Sequence, residues 1–140
     1  MNISIVGYGT FITHRHWKNK SNVEICTVIN YVRIFPKGNW FPYVLPLKGA
    51  SFKALKFDVN EQELEALDQY EGVYAGLYRR VQTEVFLNEN RKRKAFIYVP
   101  TENTIKTQNL SIEIDRNDRW KEEMYKYPEL REKFPELFLI

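Results

Sequence analysis

Position 71 carries a carboxylate where packing alone would favour an apolar side chain. It closes the segment NEQELEALDQYEG, residues 60–72. Asn60 with Glu63 three residues on predicts a capping box that opens a helix, and Gly72 predicts its C-terminal stop. The core-facing stripe of that helix is Leu64, Leu67 and then Glu71, the i, i+3, i+7 spacing of one face. A carboxylate in line with leucines loses water, and at a helix C-terminus it meets the unfavourable end of the macrodipole. Both effects raise its pKa. A carboxylate raised in this way can accept and return a proton near neutral pH. Periodicity leaves a second reading open, in which the helix frays at Tyr70 and Glu71 turns out to solvent.

Four other clusters carry residue types that could do chemistry. Gly7-Tyr8-Gly9-Thr10 follows an apolar run, but no Gly stands three residues after Gly9 and no Lys-Ser/Thr pair follows, so neither phosphate-loop fingerprint is met. Two readings remain for it, a small anion-binding nest of backbone N–H groups sized for a carboxylate, or a tight turn that only needs glycine. His14 and His16 flank Arg15 without a third ligand to complete a metal centre, which predicts a solvent-exposed polar loop and no metal site. Arg91 to Lys94 is a basic run with no interleaved aromatics, and reads as a solvated hairpin tip rather than a nucleic-acid contact. Trp120, Met124 and Tyr127 form a stripe at helical spacing that reads as packing.

The elements that must hold these residues follow from the same sequence. Asn2 to Val6 reads as a buried strand running into the glycine loop, and Val23 to Phe35 as a second β-rich stretch. The segment PKGNWFPYVLPLKG has three prolines and reads as a loop that walls one side of a site. Ser51 to Val59 reads as a strand leading into the Asn60 helix. LYRRVQTEVFL and Ala95 to Val99 read as a β-hairpin turning at Asn88, Glu89 and Asn90. From Asp115 the chain turns charged and aromatic, with Asp118 as a candidate N-cap and Pro128 and Pro135 breaking the rest into short helical turns. That tail, ending in apolar Leu137 to Ile140, is expected to pack on the body or on a partner subunit. The order of elements predicts an α+β fold with an antiparallel or mixed sheet, not a doubly wound one.

The chain of 140 residues is long enough for one domain with a core, here a body of about residues 1–114 and a helical tail over 115–140. Net charge is +3 with both signs interspersed, which demands neither a nucleic acid nor an anionic membrane as partner. The single cysteine, Cys26, lies in an apolar run, so no disulfide framework exists and the thiol reads as inert packing. There is no signal-like N-terminus and no apolar run of about 18 residues. The expectation is a soluble cytoplasmic protein, monomeric or homodimeric.

Tyr8-Gly9-Thr10 after a strand, the Phe41-Pro42 loop, Leu67-Asp68-Gln69-Tyr70-Glu71-Gly72-Val73, and Tyr78-Arg79-Arg80 occur in that order. Together they resemble the γ-glutamylcyclotransferase-like superfamily, and within it the small AIG2-like proteins that include γ-glutamylamine cyclotransferases. The resemblance covers roughly the first hundred residues. It implies a compact α+β fold around a small mixed β-barrel, and cleavage of a γ-glutamyl amide or amine to 5-oxoproline and a free amine without metal or organic cofactor. It places Glu71 on the catalytic glutamate and Tyr8, Gly9, Thr10 and Phe11 on the loop that holds the substrate's carboxylate and carbonyl. Tyr98 falls on a tyrosine that lines the pocket.

Two departures make the pocket mouth more apolar than the family pattern. Phe11 and Ile12 stand where relatives more often carry Leu and a polar or basic residue, and Trp40-Phe41-Pro42 stands where they usually have Gly-Tyr-Pro. Some relatives of this fold have lost the glutamate, so the alternative function is a catalytically silent module that binds a small carboxylate.

Overall fold

Five strands close into a barrel in the order β1-β3-β2-β4-β5. The computed structural model describes residues 2–88 and 91–138. Strand β1 (Ile3–Gly7) leads into a short helix α1 (Thr10–Thr13). The long antiparallel pair β2 (Ser21–Ile34) and β3 (Tyr43–Val59) follows, then helix α2 (Glu61–Tyr70) and the hairpin β4 (Tyr78–Phe86) and β5 (Lys92–Pro100). Helices α3 (Glu102–Thr107), α4 (Trp120–Tyr125) and α5 (Pro128–Lys133) and a 3-10 turn at Pro135–Phe138 complete the described chain. β1 runs antiparallel to β3 and parallel to β5, and that one parallel pairing, Ile5 opposite Phe96, makes the closed sheet mixed.

Strand direction decides where the loops gather. β4 is antiparallel to β5 and β1 is parallel to it, so the C-terminal end of β1 and the start of β4 lie at the same end of the barrel. Gly7 leads into the Tyr8 loop at that end, and Tyr78 opens β4 there. α2 ends just upstream of Tyr78, which brings Glu71 to the same place.

The capping box is present in full. Asn60 Oδ1 accepts the Glu63 N–H at 2.8 Å, and Glu63 Oε1 accepts the Asn60 N–H at 2.9 Å. Gly72, at φ +69°, ends the helix in the left-handed region that favours glycine. Glu71 is therefore the last residue held by the helix, its N–H bonded to the Leu67 carbonyl at 2.9 Å.

Several expectations are corrected. The proline-rich segment is not a loop throughout, because β3 begins at Tyr43 and carries Pro46 opposite Tyr31. The β2–β3 ladder shifts register between Ile29 and Tyr31, and Pro46, exposed beside that irregularity, is tolerated for that reason. Only residues 35–42 remain as loop. Lys92 to Lys94 belong to β5 rather than to a hairpin tip, and Arg91 pairs with Glu24 at 2.8 Å. Of the turn expected at Asn88 to Asn90, Glu89 and Asn90 lie outside the described residues, as do Leu139 and Ile140 of the apolar C-terminus. His16 is half-buried and stacks on Phe11 with centroids 4.9 Å apart, so only His14 matches the exposed polar loop. Asp118 does not cap α4 in the usual position. The cap residue is Arg119, and Asp118 Oδ1 takes the Trp120 N–H at 3.1 Å.

The tail packs on the body. Trp120, Met124, Leu130 and Leu137 are buried in one cluster with Ile5, Phe11, Leu55, Phe57 and Tyr98. The Trp120, Met124, Tyr127 stripe is thus packing, with Tyr127 at the cluster's edge. Cys26 is a buried free thiol in a second cluster with Val6, Val28, Val44 and Ile97.

Candidate active site

One small cavity brings together the Tyr8 loop, the loop before β3 and the end of α2. It is lined by Tyr8, Gly9, Thr10, Phe11, Phe41, Pro42, Glu71 and Tyr78. Volume does not single it out, since a depression lined in part by Glu24, Lys53 and Lys133 holds about 370 Å³ and this one only about 30 Å³. What singles it out is its chemistry. A glutamate that has no cationic partner among the described residues shares the cavity with a turn of backbone that offers N–H groups.

Glu71 is half-buried, and among the described residues its carboxylate meets no hydrogen-bond donor. Burial pushes its pKa from 4.5 up to about 7. The loss of water is the cause, and the carbonyl end of α2 acts in the same direction. The tyrosines around it respond in turn. Tyr8 and Tyr78 are both raised above the ordinary phenol value, first by burial and then by neighbouring acidic groups that include Glu71. Both stay protonated beside the carboxylate. Tyr78 stacks on Tyr43 with centroids 5.8 Å apart, and the Tyr8 hydroxyl donates to the Tyr98 carbonyl at 2.7 Å.

Facing Glu71, Gly9 is the N-cap residue of α1 and carries no side-chain cap. The N–H groups of Gly9, Thr10 and Phe11 find no acceptor among the described residues, while the Gly9 carbonyl takes the N–H groups of Ile12 and Thr13 at 2.9 and 3.3 Å. The Thr10 hydroxyl accepts from the Tyr70 hydroxyl at 3.3 Å, which ties the mouth of the loop to the last turn of α2. Phe11 is buried against Phe57 and Tyr98. It anchors the loop from beneath.

Of the residues singled out in the sequence, the fold gathers Glu71, Tyr8, Gly9, Thr10 and Phe11 at one cavity. Tyr98 lies behind it instead, fully buried, with its hydroxyl donating to Asp68 Oδ1 at 2.6 Å. Asp68 also accepts from Arg80 Nε at 2.7 Å. This Asp68–Arg80–Tyr98 network lies one helical turn before Glu71 and was not anticipated, although Asp68 and Arg80 both stand inside the motifs quoted above. The available signal was spacing, since Asp68 and Glu71 are i, i+3 neighbours on one helix face. Tyr78 and Arg33 were missed as well. Arg33 interrupts the apolar run Val32, Ile34, Phe35, and that interruption was the signal for it.

Among the described residues no group of three His, Cys, Asp or Glu side chains is arranged to hold a metal ion, and no helix is long and apolar enough to cross a membrane.

Residues 5–122 match the family described as gamma-glutamyl cyclotransferase, AIG2-like. The chain belongs to this family. No curated protein matches it in sequence. Among solved structures it resembles a γ-glutamyl cyclotransferase at 15% identity and TM-score 0.62, covering 91% of this chain and 100% of that one. It resembles an AIG2-like protein from Mus musculus at 21% identity and TM-score 0.59, covering 84% and 86%. It also resembles a yeast γ-glutamyl cyclotransferase specific to glutathione at 12% identity and TM-score 0.57, covering 89% and 86%. At these identities the structures speak for the fold, a small α+β barrel with few helices. Family and fold together support a γ-glutamyl cyclotransferase-type activity.

Proposed function

We propose that this protein cleaves a γ-glutamyl amine or amide by intramolecular cyclisation, with Glu71 as general acid/base. The supporting observation is the convergence of a glutamate with a pKa of about 7 and unpaired loop N–H groups on one cavity.

The substrate carries its own nucleophile. Its α-nitrogen attacks the γ-carbonyl carbon and forms the lactam C–N bond, and the bond to the leaving nitrogen then breaks. Folding the chain into an attacking pose supplies much of the rate. The α-nitrogen enters as an ammonium and ends as a lactam N–H, so it surrenders two protons, and the departing nitrogen takes up two to leave as an ammonium. Glu71 carries them one at a time, which suits a group with equal access to both protonation states near neutral pH. The N–H groups of Gly9, Thr10 and Phe11 hold the α-carboxylate or the oxyanion that develops on the γ-carbonyl oxygen. The protonated Tyr8 and Tyr78 complete a wall that carries no competing charge. The reaction as written draws on no metal or organic cofactor and is assigned to the cytoplasm, in a monomer or homodimer.

The leaving group is the amine of an apolar or extended substituent, because Phe41 and Pro42 line the cavity beside Glu71. The relatives do not decide between amines and peptides, since the yeast neighbour is named for glutathione. The test is release of 5-oxoproline from a panel of γ-glutamyl amines and γ-glutamyl peptides, glutathione among them. Release from at least one of these substrates supports the reading. Binding of 5-oxoproline without turnover of any substrate would replace it with the silent carboxylate-binding module.

A further inference from the structure

Arg33 lies in β2 among apolar neighbours, and its side chain is only 2% exposed. A buried guanidinium is costly unless all its donors are used, and an apolar residue would fill this position at less cost. Its donors go to three separate segments. Nε donates to the Tyr8 carbonyl at 2.9 Å, Nη2 to the Lys53 carbonyl at 3.0 Å, and Nη1 to Asp118 Oδ2 at 2.6 Å. The face of the guanidinium lies over Phe52, 4.4 Å from the ring centroid. Asp118 uses its other oxygen on the Trp120 N–H, and Trp120 Nε1 donates to the Gly9 carbonyl at 3.2 Å. Two successive carbonyls of the loop are thus held from outside the cavity by one connected set of side chains.

Peptide planarity carries the consequence inward. In a trans peptide the C=O and the following N–H point in opposite directions, and no cis peptide occurs among the described residues. Turning the Tyr8 carbonyl to Arg33 turns the Gly9 N–H the other way. Holding the Gly9 carbonyl, by Trp120 and by the first turn of α1, does the same for the Thr10 N–H. Gly9 and Thr10 both line the cavity, and neither N–H has an acceptor among the described residues.

We infer that Arg33, held in place by Asp118, is a positioning residue that aims the Gly9 N–H into the cavity for the substrate's carboxylate or oxyanion. The inference rests on the cyclotransferase reading for what the N–H binds, but the clamp itself can be tested apart from turnover. Asp118 lies in the segment from Asp115 that the sequence marks as a helical tail packing on the body or on a partner subunit.

The experiment compares the full-length parent with Asp118→Asn and Arg33→Lys. Asp118→Asn is nearly isosteric and keeps an oxygen for the Trp120 N–H, so it carries the decision if Arg33→Lys does not fold. With isotope-labelled protein, the Tyr8 carbonyl carbon and Gly9 amide nitrogen resonances are expected to move in Asp118→Asn. The kcat/KM for the best panel substrate and the affinity for added 5-oxoproline are each expected to fall about tenfold, the effect of weakening one charge-assisted hydrogen bond. The pH midpoint assigned to Glu71 is expected to stay where it is in the parent, which a general loss of structure would not allow. Parental resonances at Tyr8 and Gly9, or parental kcat/KM and affinity in a folded Asp118→Asn, would overturn the inference. If the parent releases no 5-oxoproline, shifted Tyr8 and Gly9 resonances still uphold the clamp while the reaction fails, and unshifted ones defeat both.

Discussion

Glu71 ties chemistry to stability, because the burial that raises its pKa also disfavours its charged form in the folded protein. Folded, its carboxyl keeps a proton up to about pH 7; unfolded, it releases it near 4.5. Between those values the folded state binds more protons than the unfolded state, so stability falls as pH rises through the window. The cost is fully present above pH 7. At ~1.4 kcal/mol for each pKa unit it amounts to about 3 kcal/mol. Glu71→Gln removes the titration. The unfolding free energy of the variant relative to the parent is therefore expected to grow by about 3 kcal/mol between pH 4 and pH 8, as read from urea denaturation at both. A difference independent of pH would mean that Glu71 faces water after all, the frayed-helix alternative that periodicity left open. Position 71 was legible in sequence through its place in line with Leu64 and Leu67. Its burial was not, because that depends on Phe41 and Pro42, which arrive from a distant part of the chain, as well as on Tyr78 at the start of β4.

At the scale of elements, two devices set the site. Gly72 ends α2 at φ +69°, and a Cβ there would also come within 2.8 Å of Leu77 Cδ1. Gly72→Ala is expected to lower stability by about 1 kcal/mol or more in thermal or urea unfolding, through the left-handed backbone and the displaced leucine. A neutral effect would show that the helix end is not held as described. The loop before β3 is the second device. At about 30 Å³ the cavity is small for a γ-glutamyl group, so binding is expected to displace part of its wall. The neighbouring Trp40 is 60% exposed, whereas Trp17 and Trp120 are buried. Addition of 5-oxoproline is expected to change the tryptophan emission of the parent and to leave that of Trp40→Phe nearly unchanged. An equal response in both would place the movement elsewhere. The capping box, the strand leading to it and the hairpin were legible because each is coded by neighbours in sequence. The true start of β3 was not, since the prolines that argue for a loop are accommodated by a register shift against β2.

For the whole molecule, the lesson is that the tail is part of the core. Trp120, Met124, Leu130 and Leu137 are each 2% exposed or less and pack with residues of β1, α1 and β3. Met124→Ala is expected to cost about 2–5 kcal/mol, seen as a lowered Tm with a single cooperative transition. A loss below about 1 kcal/mol would show that the tail docks loosely. Sequence indicated the stripe but not its docking surface, and it could not show barrel closure, which rests on β1 pairing with β5 some ninety positions away. The same long-range closure carries the end of β1 to the end of α2, and so creates the site.

The proposed role of Glu71 is to move the protons of a cyclisation. It is tested most directly by the pH dependence of kcat/KM for 5-oxoproline release in the parent, set beside Glu71→Gln, on whichever γ-glutamyl substrate the panel identifies. Activity is expected to rise with pH through a midpoint near 7 in the parent, and turnover to fall by at least about a hundredfold in the variant with the fold intact, the scale of one general acid/base. Turnover by Glu71→Gln at the parental rate, with the same pH midpoint, would contradict it.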